Sequence, residues 1–176
     1  MLDTDGLSPY KAKPEDLAAA EWLSALCGED SAALYAALQE ELLSETDVEV
    51  LYRRDYRTYA LPDGTPGVGF AILKVRPQAQ PCPEAVRRLL QEEVTAGGFP
   101  LCVAKTMVFF PDGSREEQYL AAGVAADEAL RVVEALAGPE VCRPEADRVV
   151  LPAGCPHPGR KRLAPLLLEK LVAAKK

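Results

Sequence analysis

Apolar and polar positions follow two different periods along this chain, and the changes of period mark out its elements. Leu17, Ala20, Leu23 and Cys27 recur at helical spacing after Pro14, with Glu15 and Asp16 in the first turn and Gly28 at the end. Leu34, Leu38 and Leu42 share one face of a second helix that Asp30 or Ser31 can cap, while Gln39, Glu40 and Glu41 point away. Together they predict an acidic helical pair over 13–45, preceded by a mobile arm at 1–12. Period two then takes over. Val48, Val50 and Tyr52 alternate with Glu49, Leu51 and Arg53, which predicts a half-exposed strand, with a break at Arg53 to Asp55 before a strand from Tyr56 to Leu61. The run Val68 to Val75 is apolar on both faces, and 101–110 is interrupted only by Lys105 and Thr106, so both strands are expected in the middle of a sheet. The polar run Glu116-Glu117-Gln118-Tyr119 is expected at an edge, with both glutamates solvated.

A repeated unit organises the middle of the chain. Leu61-Pro62-Asp63-Gly64-Thr65 and Phe110-Pro111-Asp112-Gly113-Ser114 each stand between two strand patterns, and each unit is followed by a helix. Pro presets φ and Gly supplies a positive φ, which is what a tight reversal needs. The first trailing helix carries Val86, Leu89, Leu90 and Val94 between Pro83 and Gly97; the second carries Leu130, Val133 and Leu136 before Gly138-Pro139. Five prolines between 139 and 159 predict an extended connection with a short strand at Arg148 to Leu151, and Leu163, Leu167 and Leu171 predict a last helix over 160–176. The fold class is therefore α+β: one domain with a mainly antiparallel sheet of about five strands, built from two Pro-Asp-Gly hairpins over 46–138, with helices packed on it.

Charge narrows the partners. The chain carries a net charge of −7, yet residues 1–50 hold twelve Asp and Glu against two Lys, while six Lys and Arg against Glu169 follow from Arg160 onward. The acidic balance before Arg160 argues against nucleic acid, which calls for a basic stripe. No run approaches the roughly 20 apolar residues of a membrane helix, and no secretory pattern opens the chain, so no membrane and a cytoplasmic location are expected. The basic end suits the C-terminal dipole of the last helix and could dock on acidic helices of the same chain or of a second copy.

Candidate chemistry is sparse. Cys27, Cys82, Cys102, Cys142 and Cys155 form no Cys-x-x-Cys pair, and Cys27 and Cys102 read as core thiols. Cys82, at a helix start with Arg87 and Arg88 in the next turn, is the candidate reactive thiol, because helix-start amides stabilise a thiolate. Cys142, Cys155 and His157 are the candidate metal ligands, with zinc as the metal. His157 is the sole histidine, which disfavours hydrolase triads. Arg53, Tyr56, Arg57 and Tyr59, with Tyr52 and Arg54 beside them, form the candidate partner-binding surface, since Arg and aromatic residues are enriched where proteins bind proteins or peptides.

Two resemblances concern pattern. The order α-β-β-β-α-β-β-α over 31–137 resembles the small chaperones of type III secretion, which implies a dimer that binds an extended polypeptide. The stretch Thr106-Met107-Val108-Phe109-Phe110-Pro111-Asp112-Gly113 through Leu136 resembles the last third of a thioredoxin-like domain, although Lys105 stands where that family has proline and its Cys-x-x-Cys is missing. The expected function is a non-catalytic protein-binding or chaperone-like module, a homodimer without cofactor. A thiol- or metal-dependent redox protein using Cys82, or Cys142, Cys155 and His157, is the alternative.

Overall fold

The computed structural model describes Leu7 and residues 12–138 and 141–174, without the side chains of 142–144 and 174. The arm expected at 1–12 lies outside the described residues apart from Leu7 and Ala12. The chain divides into two compact units, Met1–Ser44 and Glu45–Lys176.

The first unit is the helical pair α1 (Pro14–Cys27) and α2 (Ser31–Leu43). Gly28 closes α1 in the left-handed region at φ 71°, donating its N–H to Ser24 O, and Asp30 caps α2 by accepting from the Ala32 N–H at 2.8 Å. Within this unit α1 buries no residue, and Trp22, Leu23 and Leu26 are exposed.

The second unit is α+β with a mainly antiparallel sheet. Its order is β1(Tyr56–Ala60)-β2(Pro66–Val75)-β3(Leu101–Phe109)-β4(Arg115–Gly123)-β6(Arg148–Leu151)-β5(Cys142–Glu145). Every neighbouring pair is antiparallel except β2 with β3, which run parallel because α4 (Pro83–Ala96) carries the chain across between them. The two tight reversals are built alike. Leu61 N–H donates to Thr65 O and Gly64 N–H to Leu61 O; Phe110 and Gly113 repeat this with Ser114 O and Phe110 O. Asp63 and Asp112 each accept from the backbone N–H two residues on. At the end of β4, Gly123 has φ 110°, and a Cβ there would lie 2.2 Å from Pro100 O, so only glycine fits.

Alternation along the strands splits the core in two. Ala71, Leu73, Val75, Cys102, Ala104 and Leu120 face α4 and α3 (Val48–Arg54). Val68, Phe70, Leu101, Val103, Tyr119 and Val149 face α5 (Ala126–Ala137) and α6 (Arg160–Ala174). Helices thus cover both faces.

Two expectations are corrected here. The strand expected from Val48 is the helix α3: the Asp47 carboxylate accepts from the N–H groups of Glu49 and Val50, Glu49 sits in the first turn and Arg53 and Arg54 in the last, so cap and dipole outweigh a three-residue alternation. The Glu116 to Tyr119 segment is no edge. It lies in β4, covered on its far side by β6, and Glu117 is buried. The connection after Pro139 supplies that covering strand and β5 beyond it.

Candidate functional site

Residues paired across the strands stand on one face, so the register itself assembles a polar group. Ile72 pairs with Lys105 and Lys105 with Tyr119; one pair further along, Lys74, Met107 and Glu117 are in line. Arg57, opposite Phe70, is on the same face, which is the face that α6 covers. Asp55 precedes β1 and accepts the Ile72 N–H at its carbonyl, 3.2 Å away.

At the centre is Glu117, fully buried. Lys105 Nζ lies 2.7 Å from Glu117 Oε2, and Lys105 is itself 5% exposed. Arg115 Nε stands 3.3 Å from Oε1, and His157 Nδ1 3.3 Å from Oε2, both at ion-pair distance without hydrogen-bond alignment. The Tyr119 hydroxyl is 2.8 Å from Glu117 Oε2 and 2.9 Å from the Pro158 carbonyl, so its one proton is shared between two acceptors. Lys105 Nζ also reaches Pro158 O at 3.4 Å. Burial pushes the Lys105 amine below its ordinary range, against the pull of Glu117; Arg115 and Lys74 are near enough to push the same way. Burial pushes the Tyr119 hydroxyl up, with the negative Glu117 beside it adding to the effect. Burial lowers the His157 pKa against the pull of Glu117, with the nearby Arg115 and Lys105 charges pushing it the same way.

Two residues past Pro158, α6 begins. Gly159 O accepts from the N–H groups of Arg162 and Leu163, which leaves the first two amides of α6, those of Arg160 and Lys161, without an intrahelical acceptor. Arg160 Nη1 bonds Asp55 Oδ1 at 2.8 Å and Asp55 O at 3.1 Å, and Arg57 Nε lies 3.8 Å from the same carboxylate oxygen. Arg57 and Lys161 are open to solvent, while Arg160 is mostly covered. The group therefore brings Arg57, Lys74, Lys105, Arg115 and Arg160 around two carboxylates, Asp55 and Glu117, in a chain whose net charge is −7. A local surplus of cations beside free helix-start amides attracts anions.

Of the residues singled out from the sequence, Arg53, Tyr56, Arg57 and Tyr59 do not share one surface. Arg53 pairs with Glu93 of α4 and lies over the Tyr52 and Tyr56 rings, and Tyr56 OH donates to Glu93 Oε2 at 3.0 Å. Tyr56 pairs with Ala71 on the α4 face, whereas Arg57 and Tyr59 pair with Phe70 and Val68 on the other. Only Arg57 joins the cationic group. Cys82 is exposed at the start of α4, and the cations next to it are engaged elsewhere: Arg87 with Glu84, Glu145 and Asp147, and Arg88 with Glu92. Cys155 is buried in the α6-side core, His157 faces Glu117, and the Cys142 side chain lies outside the described residues. Among the described residues no three His, Cys, Asp or Glu side chains gather as a metal-holding group. Cys102 is buried as expected, its thiol raised to about 12 by burial, with Glu93 nearby; Cys27 is exposed. Asp55, Lys105, Glu117 and Arg160 were not legible as a site.

His157 makes one property of this group measurable. Its folded pKa is below the ordinary 6.5, so the unfolded chain binds its proton first and stability falls as pH drops below that value. The expected result is a wild-type stability that declines below pH 6.5 more steeply than that of His157→Asn, by at most about 1.4 kcal/mol per pH unit. Urea midpoints for both proteins between pH 5 and 8 check it; parallel curves would contradict the assignment.

No family model matches this chain, and no curated protein matches it. Among solved structures it is similar to that of a putative family II inorganic pyrophosphatase from Methanococcus jannaschii, with a TM-score of 0.63 and 17% identity, over 93% of this chain and 49% of that one. The chain thus spans about half the length of that protein. At this identity the likeness is one of fold. It nevertheless corrects the expectation of a non-catalytic, chaperone-like binding module, because the architecture is shared with a putative enzyme.

Proposed function

We propose that this chain recognises a condensed inorganic phosphate, with pyrophosphate as its simplest form, and is the phosphate-holding part of an enzyme that cleaves the P–O–P bond. One observation carries the reading: Arg160 and Arg57 meet on Asp55 at the start of α6, with Asp55 and Arg160 105 residues apart in sequence. Guanidinium groups present fixed pairs of N–H donors that match phosphate oxygens. First-turn amides add donors of the same polarity. A compact cluster on an otherwise acidic chain favours a small, highly charged anion over a nucleic-acid backbone, which needs a long basic track. Likeness of fold to a putative inorganic pyrophosphatase supports the same substrate class.

In this reading Asp55 keeps both guanidiniums in place until the anion arrives, and the anion displaces part of that pairing. Arg57 is the mobile clamp and Arg160 the fixed one. Isothermal titration of the protein with pyrophosphate, orthophosphate and sulfate tests it. Pyrophosphate is expected to bind at least about tenfold more tightly than the other two, and more weakly as salt is added. Equal weak heats for all three anions, or none, would set the reading aside.

A further inference from the structure

We infer that Glu117 is the positioning residue of the anion site, acting through the segment Cys155 to Gly159 that leads into α6. The inference rests on the phosphate-binding reading and adds a residue that touches no ligand in it. Glu117 is fully buried near the start of β4, and three of its neighbours connect it to that segment. Tyr119 and Lys105 each contact both Glu117 and the Pro158 carbonyl. His157 stands against the same carboxylate oxygen. The segment is therefore fastened to the sheet through His157 and Pro158, one residue before Gly159 forms the first turn of α6 and two before Arg160. Arg160 is in turn tied at Asp55, which leads into the edge strand β1 of the same sheet. A helix start and a guanidinium held at both ends need no rearrangement to receive an anion.

The charge of Glu117 separates this role from a simple field effect. As a negative group among the cations of the site, Glu117 opposes an approaching anion. If only the field mattered, Glu117→Gln would tighten pyrophosphate binding. If Glu117 acts by holding the segment, the same change loosens binding, because Lys105 loses its ionic partner and Pro158 loses a shared anchor. The two mechanisms have opposite signs.

The test is the pyrophosphate dissociation constant of the full chain at about pH 7.5 for wild type, Glu117→Gln and Tyr119→Phe, together with amide exchange. Glu117→Gln is expected to raise the constant about tenfold, and Tyr119→Phe, which changes no charge, several-fold. Amides at 157–163 should exchange faster in both variants, while those of α4 keep their protection. An unchanged or lower constant in folded Glu117→Gln overturns the inference. Should that variant not fold, an unchanged constant in Tyr119→Phe does the same. Absence of binding by the wild type refutes the phosphate reading itself, and that outcome is distinct from either of these.

Discussion

Replacing Glu117 with Leu is expected to cost about 3–5 kcal/mol of folding stability, the usual result of stripping one member from a buried ion pair. Lys105 is left in the sheet beside the Pro158 carbonyl and the Tyr119 ring, and its ammonium cannot be resolvated at 5% exposure. Its escape is to lose the proton, which burial already favours. That fixes the sign of the pH dependence. With the folded pKa depressed below the ordinary 10.5, the unfolded chain holds the extra proton, so the penalty is full near neutral pH and shrinks as pH rises toward 10.5. The companion variant Lys105→Met with Glu117→Leu removes both charges, and most of the loss should return, because apolar pairs of similar volume replace buried ion pairs at little cost. Urea denaturation at about pH 7 and about pH 9 measures all of this. A single variant within about 1 kcal/mol of wild type, or a double variant no better than the single, would mean that the pair is not the anchor the geometry makes it.

Much of the scaffold could be read in the sequence because it is written in local terms. Pro-Asp-Gly with a Thr or Ser after it dictates its own hydrogen bonds, and Val86, Leu89 and Leu90 in one segment, like Leu130, Val133 and Ala137 in another, sit at a spacing that a helix places on one face. The α3 segment shows the limit of that approach. Val48, Val50 and Tyr52 satisfy a period of two, yet Asp47 as a cap and the ordering of Glu49 before Arg53 carry the better signal, and both were present in the chain. The site was harder. Glu116 and Glu117 are indistinguishable by sequence, and only register decides which of them points into the α6 face beside Lys105. What took the Glu117 strand off the edge was β6, a four-residue strand from the proline-rich connection that pairs with β4 across an interval no periodicity records. A lysine inside an apolar strand was the one available clue. Lys105 in the run 101–110 required a buried partner, and the paired carboxylates of the next strand were the nearest candidates.

Arg160→Ala is expected to weaken pyrophosphate binding by about 1.5–3 kcal/mol, roughly ten- to more than a hundred-fold, the cost of losing charge-assisted hydrogen bonds to one guanidinium. The comparison that gives the number meaning is Arg57→Ala. Arg160 is largely covered and bonds both the carboxylate and the carbonyl of Asp55, so its loss should also lower stability, by about 1 kcal/mol. Arg57 stands in solvent and reaches Asp55 only at 3.8 Å, so its removal should leave the urea midpoint unchanged while still weakening the anion. Arg160→Lys separates charge from geometry. A lysine keeps the positive charge at the helix start but cannot present two parallel donors, and it should recover only part of the affinity. Full recovery would mean that the site holds its ligand by charge alone, and the reading would then narrow from recognition of a particular phosphate to general attraction of anions. Titration calorimetry and urea denaturation on the same four proteins decide it. Affinity that survives in Arg160→Ala while stability falls would assign Arg160 to the fold, as a strut between Asp55 and α6, and would move the phosphate site off this helix start.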